Sequence, residues 1–221
     1  MITCVAVLKN REKERVENFL NSLKSQTVPC KIIIVDYGSN DTSWYDETFK
    51  DVHLIKVTRN TEGFNKARAL NIGFKAADTK YVLSTDIDNV FASNFIEEVT
   101  KAIQTPKTLV LCRRWDTNEK GEKKRLHGKG AFGVCFAIEK EWMMKVHGYD
   151  EFYTFWGKED DDIFYRATSD GYNPVWIEDK TEIIHQWHPI ASRHTLVQNE
   201  IYFRANLGKS LIRNPNGWGE L

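Results

Sequence analysis

Asp86-Ile87-Asp88, the four consecutive acids Glu159-Asp160-Asp161-Asp162, and the pair His185 and His188 are the residues of this 221-residue chain best suited to chemistry. In an extended segment, residues two apart point the same way. The carboxylates of Asp86 and Asp88 can therefore converge on one cation. Oxygen ligands suit Mg2+ or Mn2+, and such an ion can also hold a diphosphate. Capping of a following helix is the alternative role for the pair. His185 and His188, spaced i and i+3 after the apolar Ile183-Ile184, offer nitrogen ligands to the same kind of site. Acids at a helix start are favoured by the helix dipole, but one or two would serve, and four repel one another. That repulsion raises carboxylate pKa values toward those useful in a general base. Trp156-Gly157, just before the acids, presents a flat apolar face on which a sugar can stack.

Two further groups lie earlier. Asp36-Tyr37-Gly38-Ser39-Asn40-Asp41 offers a carboxylate to a base N–H or a ribose hydroxyl, with Gly38 turning the chain. A plain strand-ending turn would use the same residue types. Arg59-Asn60, Gly63, Ala67-Arg68, Asn71, Gly73 and Ala77 follow. There the small residues permit close packing, and Arg68 can face a phosphate.

Such groups act only if something positions them. Residues 2–8, 31–35, 53–58 and 81–85 are apolar or β-branched runs that read as strands. Residues 11–25, 65–77 and 94–103 read as helices from the spacing of their apolar positions. This alternation predicts an α/β fold with a mostly parallel central sheet flanked by helices. Ligands of such sheets bind beyond the carboxyl ends of the strands, where Asp36 and residues 86–88 fall. Residues 109–112, 133–138 and 175–177 predict further strands, and 197–207 a short helix. Residues 116–130 are rich in Lys, Glu and Gly with almost no apolar content, and read as a solvated loop or an active-site lid.

Lys plus Arg and Asp plus Glu number 31 each, so the net charge is zero. That balance argues against a partner held through its phosphate backbone, nucleic acid above all. Cys4, Cys30, Cys112 and Cys135 form no CxxC pair, and three of them sit in apolar runs. They read as reduced thiols and the compartment as cytoplasmic, or peripheral to a membrane. No segment has the length of a bilayer span.

The order D-x-G-S-x-D, then N-x-x-G-x-x-x-A-R-x-x-N-x-G, then strand plus D-x-D resembles the nucleotide-binding half of family-two glycosyltransferases. The second half is similar to a block shared by those enzymes with β-1,4-galactosyltransferase-like and polypeptide N-acetylgalactosaminyltransferase-like domains. It comprises Gly148-Tyr149-Asp150-Glu151, then Phe155-Trp156-Gly157-Lys158-Glu159-Asp160-Asp161-Asp162-Ile163, then Arg166 and Gly171. The resemblance runs from Thr3 to about His188 and implies a Rossmann-like GT-A fold. It implies one domain over 1–221, with a donor half (1–105), an acceptor half (106–190) and a C-terminal helix and tail (191–221).

It further implies transfer of a sugar, with inversion, from a nucleoside-diphosphate sugar, UDP-linked by expectation, to a hydroxyl of a glycan, protein or small molecule. Donor contacts would come from Asn10, Arg11, Asp36, Arg68 and Asp86. Mn2+ or Mg2+ would be held by Asp86, Asp88 and His185, the last preferred over His188. The base would be Asp160, with Glu159 beside it holding the acceptor and Asp161 as the fallback; Trp156 and Gly157 would complete the acceptor site. The chain departs from the family at Lys9-Asn10-Arg11, where a proline is usual, and at Tyr37, where a second aspartate is frequent. The alternatives are a carbohydrate- or nucleotide-sugar-binding module without turnover and a sugar nucleotidyltransferase. The latter needs a glycine-rich basic loop after the first strand, and Lys9-Asn10-Arg11-Glu12 has no glycine.

Overall fold

The computed structural model describes every residue except Asn60, Glu62, Lys129, Ala131, Ile190, Ala191 and Ser192. Asn60 of the expected donor motif and Ala191 of the expected tail thus lie outside the described residues. The first half alternates as the sequence predicts: β1 (Ile2–Leu8), α1 (Lys13–Lys24), β2 (Lys31–Asp36), α2 (Tyr45–Thr48), β3 (His53–Lys56), α3 (Lys66–Ala76) and β4 (Tyr81–Asp86). There follow β5 (Asn89–Phe91), α4 (Phe95–Ala102), β6 (Thr108–Leu111), β7 (Trp115–Thr117), β8 (Lys123–Leu126) and β9 (Cys135–Glu139). The chain ends with α5 (Lys140–Lys145), α6 (Glu159–Ser169), β10 (Asn173–Trp176), β11 (Ile183–His185) and α7 (Leu196–Asn206).

All seven residues of β1 are buried, as expected of a central parallel strand covered on both faces. It pairs in parallel with β2 on one side and β4 on the other. Its side chains alternate between two cores. Ile2, Cys4, Ala6 and Leu8 join Val16, Phe19, Leu20 and Leu23 of α1, while Val5 and Val7 join Ala67, Leu70 and Phe74 of α3. Each Val, Ile, Leu or Phe among them contributes about 1.5–3 kcal/mol on full burial. The large sheet has the order β10-β6-β9-β4-β1-β2-β3. It is parallel except at β9, which runs antiparallel to both β4 and β6.

A second sheet, β5-β11-β7-β8, was not legible beforehand. Residues 116–130 are not the structureless loop expected: β7 and β8 form an antiparallel hairpin, and β7 pairs in parallel with β11. Polar interactions replace apolar patterning here. Asp116 pairs with Arg114 and Arg125, and the Asn118 side chain accepts from the Lys120 and Glu122 amides to form the turn. Among the described residues, no helix is long and apolar enough to cross a membrane, and the four cysteines are free thiols.

Candidate active site

β4 delivers Asp86 to the carboxyl edge of the large sheet, and Ile87-Asp88 then turns the chain into β5. Because residues 87–88 form a turn rather than an extended strand, the two carboxylates take different partners. Asp88 is buried and faces two imidazoles: Oδ2 lies 3.0 Å from His188 Nε2 and Oδ1 lies 3.4 Å from His185 Nε2. His185 gets there because β11 pairs antiparallel with β5, which sets it opposite Asn89. The Gln186 amide donating to the Asp88 carbonyl at 2.9 Å holds the next residue in place.

One ligand atom from each of Asp88, His185 and His188 fits within a 4.8 Å span. His188 Nδ1 lies 2.7 Å from the Pro189 carbonyl, which can only accept, so the ring proton sits on Nδ1. Nε2 then confronts a carboxylate across 3.0 Å, an arrangement that needs a cation or a second proton between them. Asp88 Oδ1 is buried, with no hydrogen bond among the described residues. Burial alone would raise the Asp88 carboxyl. The imidazoles of His185 and His188 and the charge of Arg114 instead hold it well below the carboxylate range. The hydrogen bond to Asp88 raises His188. A buried anion and two imidazoles, one anionic oxygen unsatisfied, fit a divalent cation, and the nitrogen ligands favour Mn2+ over Mg2+.

Asp86 stands apart from this group. Its two oxygens are taken by Lys66 Nζ at 3.1 Å and Arg114 Nη1 at 3.0 Å. Lys66 is the first residue of α3, placed there by the Asn65 side chain, which caps the helix by accepting from the Arg68 amide at 2.8 Å. The same ammonium lies 3.2 Å from Asp160 Oδ2 and 3.8 Å from Glu159 Oε1. Burial and the neighbouring Asp160 raise the Glu159 carboxyl, with Lys66 opposing. Burial likewise raises Asp160, again against Lys66.

The four-acid run divides by helical geometry. Glu159 and Asp160 meet Lys66, whereas Asp161 pairs with Lys158 at 3.4 Å. Asp162, buried, binds Arg166 at 2.7 Å and Arg213 at 3.0 Å. Asp162 is thus part of the framework. Asp162→Ala leaves the buried Arg166 guanidinium without its carboxylate and takes from Arg213 one of its two, the other being Asp150 at 3.1 Å, and is expected to destabilise the fold by about 3–5 kcal/mol. Urea unfolding measures this, and a loss below about 1 kcal/mol would contradict the framework role.

Ahead of α6 the chain takes positive φ at Phe155, Gly157 and Lys158. The turn is held from α7: the Asn199 amide donates to the carbonyls of Thr154, Trp156 and Gly157. It leaves Trp156 40% exposed, with the Arg193 guanidinium over one face of the ring, 4.3 Å from its centroid.

Among the residues expected to meet a donor, Asn10 and Asp36 are joined through Ser39. The Asn10 amide donates to Ser39 Oγ, which donates to Asp36 Oδ1 at 2.6 Å, and the Asn10 side chain accepts from the Asn40 amide. Arg11 carries a buried Nε with no hydrogen bond among the described residues. Arg68 bonds the Tyr37 hydroxyl at 3.0 Å and the Glu220 carbonyl at 3.0 Å. Asn71 ties the motif halves together, exchanging hydrogen bonds with the backbone of Tyr149. Gly148 at φ +65° leaves room for that side chain, since a Cβ would overlap Asn71.

Lys66, Arg114 and Asn199 were missed from sequence. Lys66 has only its place beside Ala67-Arg68 as a signal; the other two have none.

The glycosyl transferase family 2 model matches residues 3–169. The chain belongs to that family. Human beta-1,4-galactosyltransferase 4 is 35% identical over 119 residues, covering 51% of this chain and 32% of that protein. The chain thus spans about a third of that curated relative's length. Among solved structures, S. aureus TarS superposes with a TM-score of 0.72 at 15% identity, covering 93% of this chain and 39% of that one. GalNAc-T7 with UDP, GalNAc and Mn2+ gives 0.70 at 17% identity, covering 85% and 44%. These likenesses establish the GT-A fold. In this family-two chain, Asp88 gathers His185 and His188, while Lys66 gathers Asp86, Glu159 and Asp160.

Proposed function

We propose that the chain transfers a sugar from a nucleoside-diphosphate sugar, UDP-linked, to an acceptor hydroxyl with inversion at the anomeric carbon. The observation that carries this reading is the Asp88–His185–His188 group, in which a buried carboxylate oxygen has no hydrogen bond among the described residues, at the carboxyl edge of a family-two sheet. The choice of UDP is supported by the UDP-bound structures of GalNAc-T7 and TarS among the neighbours.

Asp88, His185 and His188 would hold Mn2+, with Asp86 left to donor contacts beside Asn10, Arg11, Asp36 and Arg68. A divalent ion there supplies Lewis-acid neutralisation of the departing diphosphate. Asp160 takes the proton from the acceptor hydroxyl. The oxygen so freed forms a bond to the anomeric carbon as the bond from that carbon to the diphosphate oxygen breaks on the opposite face. Trp156 stacks on the acceptor sugar and Glu159 supports the pair. The acceptor is a glycan, protein or small-molecule hydroxyl.

Thermal-shift measurements with UDP-, GDP- and ADP-linked sugars, each with and without Mn2+, test this. A ligand at 100 times its Kd stabilises by about 2.7 kcal/mol, so a selective, Mn2+-dependent rise in Tm with UDP-sugars is expected. No shift with any nucleotide sugar would sink the reading. A shift without turnover on any acceptor panel, water included, would favour a binding module.

A further inference from the structure

One cation in this chain joins the donor side to the acceptor side. Lys66 Nζ is 3.1 Å from Asp86, 3.2 Å from Asp160 and 3.8 Å from Glu159, and its side chain is 16% exposed. Three carboxylates around one ammonium exceed what charge balance needs, so the arrangement calls for a geometric reason.

That reason lies in Asp160. Its Oδ2 is held by Lys66, while its Oδ1 is buried with no hydrogen-bond partner among the described residues. The carboxylate is oriented, with Oδ2 on the ammonium and Oδ1 turned into the protein. Space for that orientation comes from Gly133, in the turn before β9. A Cβ there would run into the Asp160 carboxylate, with all three of its nearest atoms belonging to Asp160. Glu159 and Asp160 would also repel each other without the shared cation.

We infer that Lys66 is a positioning residue that acts through Asp160, gripping Oδ2 of its carboxylate and so fixing where that carboxylate meets the acceptor hydroxyl, with Gly133 shaping the space the carboxylate occupies. The inference rests on the transferase reading above. Placement errors of about 1 Å at a reacting group cost on the order of 100-fold in rate. Loss of Lys66 should therefore appear in kcat rather than in donor KM.

The test is a double-mutant cycle on the full chain with Mn2+ and the UDP-sugar found by thermal shift, scored as transfer to acceptor and to water. Lys66→Met is expected to lower kcat about 100-fold with donor KM changed less than about 3-fold. In an Asp160→Asn background the same substitution should change the residual rate less than about 3-fold, because the group through which it acts is gone. Lys66→Arg, which keeps the charge, should restore at least part of kcat. Gly133→Ala should mimic Lys66→Met, again only when Asp160 is present.

Equal losses in both backgrounds, or a loss confined to donor KM, would overturn the inference. So would wild-type kcat in Lys66→Met. Should Lys66→Met fail to fold, the Gly133→Ala and Lys66→Arg cycles carry the same two outcomes. Absence of turnover in the unmodified chain would instead count against the transferase reading, so the two failures are distinct.

Discussion

Asp160→Asn is expected to bind nucleotide sugar and Mn2+ as the unmodified chain does while losing transfer by about 10²–10⁴-fold, the range that general-base catalysis supplies. The substitution keeps the shape and one hydrogen-bonding oxygen but removes the proton acceptor. Of the four acids Asp160 has one oxygen on the Lys66 ammonium and the other without a hydrogen bond among the described residues; Asp161 pairs with Lys158 and Asp162 with two arginines. Donor affinity by calorimetry and initial rates on an acceptor panel decide the matter. Undiminished transfer would move the role elsewhere, and lost donor binding would make Asp160 structural.

A pH profile sharpens the result. Burial raises the Asp160 carboxyl, Lys66 opposes the shift, and Asp86 and Asp161 add to it, leaving the group above the ordinary aspartate value. A base works only when deprotonated. At saturating Mn2+, kcat/KM should therefore fall as pH falls, with a midpoint above about 3.9, and that limb should vanish in Asp160→Asn.

Asp88→Ala is expected to abolish the Mn2+-dependent part of nucleoside-diphosphate binding. Partners that merely orient metal ligands are worth about 10–100-fold in affinity, so removing the only carboxylate of the group should cost more than about 100-fold. Titration of UDP with and without Mn2+ measures the difference. His185→Ala and His188→Ala should each weaken the metal-dependent increment, since the structure places both Nε2 atoms on Asp88. Asp86→Asn should leave Mn2+ binding in place, because Lys66 and Arg114 occupy that carboxylate. Identical UDP affinity in Asp88→Ala and the unmodified chain, with and without Mn2+, would overturn the metal assignment.

Much of the frame was legible because it is local. The apolar run of β1, the spacing of Val16, Phe19, Leu20 and Leu23 in α1, and the small residues of α3 record which surfaces are buried, and burial is the strongest pattern a chain carries. The β7–β8 hairpin escaped because ion pairs and the Asn118 turn stabilise it without apolar alternation.

By itself, the sequence determined the residue types at the strand ends, the membership of the two motif blocks, and so the family and the chemistry on offer. Only the tertiary structure decided how those residues are grouped. The Ile87-Asp88 turn sends Asp86 and Asp88 to different partners. The β5–β11 pairing brings His185, with His188 just beyond it, onto Asp88, about a hundred residues away in the chain. The capped start of α3 puts Lys66 under the acids of α6. The physical reason is that burial pattern is written residue by residue along the chain. Which charged side chains meet across it depends on strand pairing and turn geometry, where a single residue of register exchanges one partner for another.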